Sequence, residues 1–289
     1  MLQPLFDRPV RSVEYLAPGH SDHASDVWRV RTDVENVVVR ASRAIRLEGP
    51  FALGCHRLFG ADPRRVWDLE ALNAMLAELS PVPAPRVLRR GWLGRRPCVV
   101  VECIPGRTVD TFIGAPGGVL CDLGRALAHI HRRSRAGYGD GAGRVRRPLK
   151  AFHPHVAETI AALATASHVE RPPFWSAVVD RARALPPPAA GCLVMPDLDP
   201  TQFLQLEGRL TGLVDTEFFC VGPRELDFVA LEYLLDGAGA GVFRRAYAQV
   251  LPPPTLGPVR EVYRLLYRLL EVQGRVPLRR WMAQPALFE

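Results

Sequence analysis

The sequence predicts an α+β fold in which a five-stranded antiparallel N-terminal lobe precedes a mainly helical C-terminal lobe. Three observations lead to it. Short, valine-rich runs separated by polar turns fill the chain as far as Glu102. Past Ile104-Pro105-Gly106 the apolar residues switch to helical spacing. The chain's 289 residues exceed one typical domain of ~100–200 residues, which leaves room for two lobes.

Val10 to Leu16, Val27 to Arg31 and Val37 to Arg40 read as a three-strand meander, the last two strands joined by a polar turn at Thr32 to Asn36. The first two strands flank Ala17 to Asp26, a small, polar loop with Pro18, Gly19, Ser21 and Ser25. Residues 42–66 read as an insertion with no assigned function. Leu69, Leu72, Met75, Leu76 and Leu79 then place a helix over 68–79, ahead of Pro81. Arg86 to Leu88 and Pro97 to Glu102, about a turn at Gly91 to Gly94, complete five strands. The expected lobes are therefore 1–102 and 107–289, with 103–106 as linker. Leu120, Leu123, Leu127 and Ile130 share a face of a helix ending at Arg132 and Arg133, where cations suit the helix dipole. Residues 137–150 read as a loop, with His153 and His155 flanking a proline beyond it. Helices follow near 156–166 and 175–184, the second stopped by Pro186-Pro187-Pro188. Two short apolar strands, Cys192 to Met195 and Leu210 to Val214, precede helices near 226–235, 242–250 and 259–272. On the last helix Arg260, Arg264 and Arg268 form an i, i+4 stripe, the pattern of a solvated face.

Hydrophobic residues at 48% and charged residues at 23% exclude wholesale disorder. No run approaches the ~20 apolar residues needed to cross a bilayer. Asp7 and Pro9 also interrupt the segment where a secretory signal would be apolar, so a cytoplasmic protein with no membrane partner is expected. The six cysteines never form C-x-x-C and mostly lie in apolar runs, which reads as reduced core thiols. The net charge of +7 is scattered along the chain without a nucleic-acid motif, so no nucleic-acid partner is expected. Lys150 is the sole lysine, leaving arginine to supply the other cations.

The informative segment is Cys192-Leu-Val-Met-Pro-Asp-Leu-Asp-Pro-Thr-Gln-Phe-Leu204, followed by Gly212-Leu-Val-Asp-Thr-Glu217 and Val221-Gly-Pro-Arg-Glu-Leu-Asp227. Phosphoryl transfer to a hydroxyl needs an acceptor for the hydroxyl proton, a metal site and a cation on the nucleotide phosphates. Asp197 follows one apolar strand and Asp215 closes the next, so strand ends bring two carboxylates to one cleft. In order and spacing this segment resembles the aminoglycoside phosphotransferase family, protein-kinase-like small-molecule phosphotransferases whose signature runs H-G-D-L-H-P-G-N, I-D-W-E and V-G-D-P-x-x-D-L. The resemblance extends upstream to V-V-V-R at 37–40 and to the helix that begins at Glu70 and leads to P-V-P-A-P-R. It takes in V-V-V-E-C-I-P-G at 99–106 and L-G-R-A-L-A-H-I-H at 123–131 as well.

The resemblance implies a bilobal protein-kinase-like fold and an ATP- or GTP-dependent kinase acting on a hydroxyl of a small molecule. It makes Asp197 the catalytic aspartate and gives Asp215 and Gln202 to magnesium, with manganese as the alternative. Arg40 falls where the family holds phosphates, and Glu70 where a helix glutamate orients that cation. Ser21 and backbone N–H groups of its loop would cover the phosphates, while backbone groups from Glu102 to Ile104 would meet the adenine edge. Asp227 would brace the catalytic loop, and His131 would be a packed helix residue. Three positions depart from the family pattern. Gln202 replaces asparagine, Met195-Pro196 replaces histidine-glycine, and Asp199 replaces the second histidine. The alternative reading is therefore a catalytically degraded pseudokinase that binds nucleotide or metabolite.

Overall fold

The computed structural model describes residues 2–16, 25–43, 46–166 and 174–289. Strands β1 (Ser12–Tyr15), β2 (Ser25–Arg31) and β3 (Asn36–Ser42) are followed by helices α1 (Gly49–Phe59) and α2 (Leu69–Leu79). Strands β4 (Val87–Leu93) and β5 (Arg96–Glu102) complete an antiparallel sheet in the order β1-β2-β3-β5-β4. Side-chain alternation along β3 separates the two faces of this sheet. Val37, Val39 and Ala41 pack with Leu2, Phe6 and Val30 on one face. Val38 lies on the other, with Val99, Val101, Val66 and Leu69, so Arg40 points toward α2 and the rest of the chain.

The remaining elements are β6 (Arg107–Thr108), α3 (Gly117–Arg132), β7 (Gly137–Asp140), β8 (Arg146–Pro148), α4 (Phe152–Ala166), α5 (Phe174–Ala184), β9 (Cys192–Val194), β10 (Phe203–Leu206), β11 (Arg209–Leu213) and β12 (Cys220–Gly222). Helices α6 (Glu225–Leu234), α7 (Gly237–Ala248), α8 (Arg260–Leu270) and α9 (Leu278–Met282) close the chain. Two small sheets, β11-β10-β6 and β8-β7-β12-β9, set the loops that follow β9 and β11 against the large sheet. Among the described residues no helix is long and apolar enough to cross a membrane.

Four expectations change. The insertion 42–66 contains α1, which Pro50 starts and Gly60, at φ 78°, ends. Its buried residues Cys55, Leu58 and Phe59 belong to the core of the helical region. The stretch 137–150 holds β7 and β8, because β7 pairs with β12 and not only with its neighbour in sequence. His153 and His155 lie in the first turn of α4, where proline is tolerated. The His153 ring is buried, with Nδ1 donating to the Pro186 carbonyl at 2.7 Å and Nε2 2.8 Å from the Tyr263 hydroxyl, and burial lowers its pKa. The stripe on α8 is not solvated. Arg264 donates to the fully buried Glu232 at 2.6 Å and to the Pro285 carbonyl at 2.9 Å, and Arg260 reaches the same carboxylate at 3.2 Å. A charged stripe is stable indoors when a carboxylate and carbonyls from other segments satisfy it.

Gly54 is where α1 meets α8. A Cβ there would overlap Leu270 Cδ2 and lie 3.1 Å from Leu163 Cδ1. Gly54→Val should therefore destabilise the protein by about 1–3 kcal/mol through overpacking, outweighing any gain in helix propensity. Urea unfolding checks this, and an unchanged midpoint would mean that α1 does not dock on α8.

Candidate active site

The loop after β9 is held from beneath. Asp227, in the first turn of α6, is wholly buried, and its Oδ1 accepts the Met195 N–H at 2.9 Å. Its Oδ2 accepts from His131 Nε2 at 3.0 Å, and His131 Nδ1 lies 3.0 Å from the Tyr247 hydroxyl. This chain of buried partners runs from α7 through α3 and α6 into the loop two residues before Asp197.

Asp199 then caps a single turn at Pro200–Gln202, its Oδ1 accepting from the Thr201 N–H at 2.9 Å and the Thr201 hydroxyl at 2.6 Å. Gln202 reciprocates, its Oε1 accepting the Asp199 N–H at 3.0 Å. This capping box uses the oxygen that a metal would need. The Gln202 side chain also hydrogen-bonds Asp197, lowering that aspartate's pKa. Burial, and after it the charge of Asp215, push the other way and hold the Asp197 carboxyl well above the usual carboxylate range.

Asp215, just past β11, takes a left-handed backbone conformation at φ 61°. Its neighbour Thr216 donates to Asn73 Oδ1 on α2 at 2.5 Å, and Asn73 Nδ2 donates to the Pro85 carbonyl at 2.8 Å. The turn therefore presents Asp215 and Glu217 toward β3. There Arg40 Nη2 donates to both carboxylates. Ser25, the first residue of β2, adds a hydrogen bond to Glu217 Oε1 at 2.9 Å. Burial raises the Glu217 pKa to about 7, Arg40 opposing and Asp215 reinforcing the rise. Burial also works against the charge on Arg40, but Glu217 and Asp215 outweigh it and hold the guanidinium above its ordinary range. Arg40 Nε is buried with no partner among the described residues.

The expected Arg40–Glu70 pair does not form. Glu70 pairs instead with Arg90 of β4, Nε to Oε2 at 2.5 Å, and its side chain is 48% exposed. The reason lies in the register. Arg40 and Arg90 are both cross-strand partners of Val99, so they share one face two strand spacings apart, about 9.6 Å. Glu70 stands over the edge strand and reaches the edge arginine.

Glu102 and Ile104 line an open groove of about 520 Å³ with Val37, Ala84, Leu88 and Thr211. The Glu102 N–H is already taken by the Arg86 carbonyl at 3.0 Å, and its carboxylate accepts Arg86 Nη2 at 2.7 Å. Ser21 lies outside the described residues. Sequence reasoning gave no role to Glu217, Asn73 or Ser25. Glu217 stood inside the recognised motif, but no spacing rule connects it to a strand so far upstream.

Among the described residues no group of three or more histidine, cysteine or acidic side chains is arranged to hold a metal. The charge balance nevertheless suits a divalent cation. Asp215 and Glu217 face one guanidinium and Asp197 lies beside them; after burial, repulsion from Asp215 contributes to the raised pKa of Asp197 and of Glu217. Asp215, with 41% of its side chain exposed, offers the hard oxygen donors that magnesium or manganese takes, whereas the Gln202 oxygen faces Asp199.

The profile of the phosphotransferase enzyme family matches residues 16–266, and the chain belongs to that family. Solved structures agree on the fold. Macrolide 2′-phosphotransferase MphH from Brachybacterium faecium superposes with a TM-score of 0.60 at 19% identity, over 95% of this chain and 93% of that one. A thermostable mutant of aminoglycoside phosphotransferase APH(4)-Ia, in ternary complex with ADP and hygromycin B, gives 0.64 at 15% identity over 91% and 86%. The GDP and kanamycin complex of APH(2″)-IIIa gives 0.61 at 14% identity over 94% and 88%. No curated protein matches the chain by sequence.

The raised carboxyls give stability a pH dependence. A carboxyl whose folded pKa exceeds its unfolded value holds a proton in the native state that it releases on unfolding, so its contribution is complete below the unfolded pKa and is lost as pH rises. For Glu217 the window runs from 4.5 to about 7, with Asp197 shifted in the same direction. The metal-free protein should lose thermal stability as pH climbs through that window. Melting temperatures of wild type and Glu217→Gln across it check this, and the variant's curve should be flatter.

Proposed function

We propose that this chain is an ATP- or GTP-dependent phosphotransferase that phosphorylates a hydroxyl of a small molecule. The proposed lobes are 1–102 and 107–289, joined by 103–106. The observation that carries the reading is the Arg40–Asp215 ion pair, which joins β3 to the turn after β11 with Asp197 beside Asp215, together with a buried Arg40 nitrogen that has no partner among the described residues. A buried, unpaired cationic donor beside two strand-end carboxylates suits an anionic ligand such as the phosphates of a nucleotide.

In this mechanism the acceptor hydroxyl attacks the terminal phosphorus, its oxygen–phosphorus bond forms as the bond to the leaving nucleoside diphosphate breaks, and Asp197 takes the hydroxyl proton. Burial, and after it the charge of Asp215, raise the Asp197 pKa, which makes this carboxylate a stronger proton acceptor than an ordinary aspartate. Gln202 orients Asp197, and Arg40 binds phosphate oxygens. A divalent cation at Asp215, magnesium or manganese, would neutralise charge on the phosphates. Backbone groups at Glu102 to Ile104 remain the proposed contact for the base, although the Glu102 N–H is already engaged. Relatives solved with ADP and with GDP support a nucleotide co-substrate without choosing its base.

Gln202 favours a second reading. Its oxygen is committed to Asp199, so one family metal contact is missing, as in a pseudokinase that binds nucleotide without turning it over. Turnover of a hydroxyl metabolite by the purified protein separates the two readings. Asp197→Asn should lower kcat by about 10²–10⁴ with little change in nucleotide affinity, because this residue faces the acceptor. Asp215→Asn should instead weaken cation-dependent nucleotide binding in titration calorimetry. Identical defects in the two variants would contradict these roles.

A further inference from the structure

In a kinase-like cleft the cation on the phosphates needs a carboxylate that fixes its direction, and the expected source is the helix beside the sheet. Here that helix cannot supply one. Glu70 is half exposed and bound to Arg90, at the far end of the row Arg40–Val99–Arg90. The residue one turn along α2, Asn73, engages Thr216 instead. Glu217 meets Arg40 from across the cleft. Its side chain is 4% exposed, against 11% for Arg40 and 41% for Asp215.

We propose that Glu217 is the positioning residue of Arg40, replacing Glu70, and that the Arg40–Asp215 contact is a placeholder which yields when a nucleotide and its cation enter. This inference rests on the phosphotransferase reading. The two carboxylates bind the same Arg40 nitrogen but differ in their surroundings. Glu217 is buried and receives a second hydrogen bond from Ser25, on the strand next to β3, so it stays with the sheet. Asp215 faces the opening and can turn to a cation. Its departure leaves Arg40 aimed by Glu217, with Nε holding no partner among the described residues. Arg40 thereby gains one net unit of charge toward phosphate when it is needed, and in metal-free protein its charge stays masked.

The test measures nucleotide affinity of the full chain by calorimetry, with ATP and with GTP, in magnesium and in chelator. Glu217→Gln should weaken binding in magnesium by ~10-fold, Glu70→Gln should change it less than ~2-fold, and a double-mutant cycle should couple Arg40→Met to Glu217→Gln and not to Glu70→Gln. Asp215→Asn should bind nucleotide more tightly than wild type in chelator and more weakly in magnesium, a change of sign that a merely structural role would not produce. Circular dichroism and melting curves establish that each variant is folded. Glu217→Asp, which keeps the charge, should recover part of the affinity lost in Glu217→Gln and serves if the glutamine variant does not fold. Coupling of Arg40 to Glu70, or equal affinities for wild type and folded Glu217→Gln, would overturn the proposal. A wild type that binds neither nucleotide would remove the phosphotransferase reading itself and the proposal with it, a result distinct from binding that ignores Glu217.

Discussion

Burying the guanidinium of Arg40 is the constraint around which the cleft is arranged. A cation withdrawn from water is stable only against compensating charge, and removing one partner of such a pair costs several kcal/mol. The compensation comes from Glu217 and Asp215, some 175 residues further along the chain. One ion-pair cluster thus closes the large sheet onto the turn after β11. The same cluster concentrates negative charge, since Asp197 stands beside the two carboxylates that hold Arg40. The demand of a single buried arginine thereby gathers Asp215 and Glu217, and Asp197 comes to lie beside them.

The neighbouring loops inherit their geometry from similar local demands. Asp227 can be wholly buried because the Met195 N–H and His131 both donate to it, and that requirement fixes the backbone just before Asp197. Asn73 satisfies Thr216 and the Pro85 carbonyl together, so α2 still controls the turn carrying Asp215 and Glu217 although its own glutamate does not reach Arg40. Helix α1 adds a third support. Phe51 packs edge-on against Phe218, one residue past Glu217, with ring centroids 4.8 Å apart. The insertion thus touches the same turn, while its Cys55, Leu58 and Phe59 join the helical core.

Much of this could be read from residue order. The alternation of Val37, Val39 and Ala41 against Val38 and Arg40 is a local property, as is the helical spacing from Leu69 to Leu79, and both appear in the structure within a residue or two. The family resemblance over the Asp197, Asp215 and Asp227 segments agrees with the match to the phosphotransferase enzyme family. What escaped depends on partners distant in sequence. The arginine stripe on α8 has the pattern of a wet face, and only Glu232 on α6 and the carbonyls of the C-terminal segment turn it inward. Strands β7 and β8 are too short to announce themselves, and β7, half glycine, is held by β12 on one side and by β8 on the other. Helix α1 did carry boundary signals in Pro50 and Gly60, but its apolar face has no partner until α4 and α8 are folded.

The exchange of Glu70 for Glu217 shows most plainly why a motif match does not fix a contact. A motif assigns residues to roles by position, whereas a carboxylate pairs with whichever cation lies within reach. In this chain, where arginine supplies nearly every cation, the helix glutamate has Arg90 as a nearer partner than Arg40. Arginine also alters what the proposed phosphate-binding position can do. A lysine ammonium is a single point of attachment that a carboxylate or a phosphate must share, whereas the guanidinium fork divides its donors among several nitrogens. Arg40 gives Nη2 to the carboxylates, while its Nε is buried with no partner among the described residues, so the fork is not saturated by its anchor. The anchor is incomplete in the complementary way, since Glu217 Oε2 is also buried with no partner among the described residues. A buried carboxylate that keeps one oxygen on both Arg40 and Ser25 has little reason to rotate away from Arg40, which is the property a positioning residue requires.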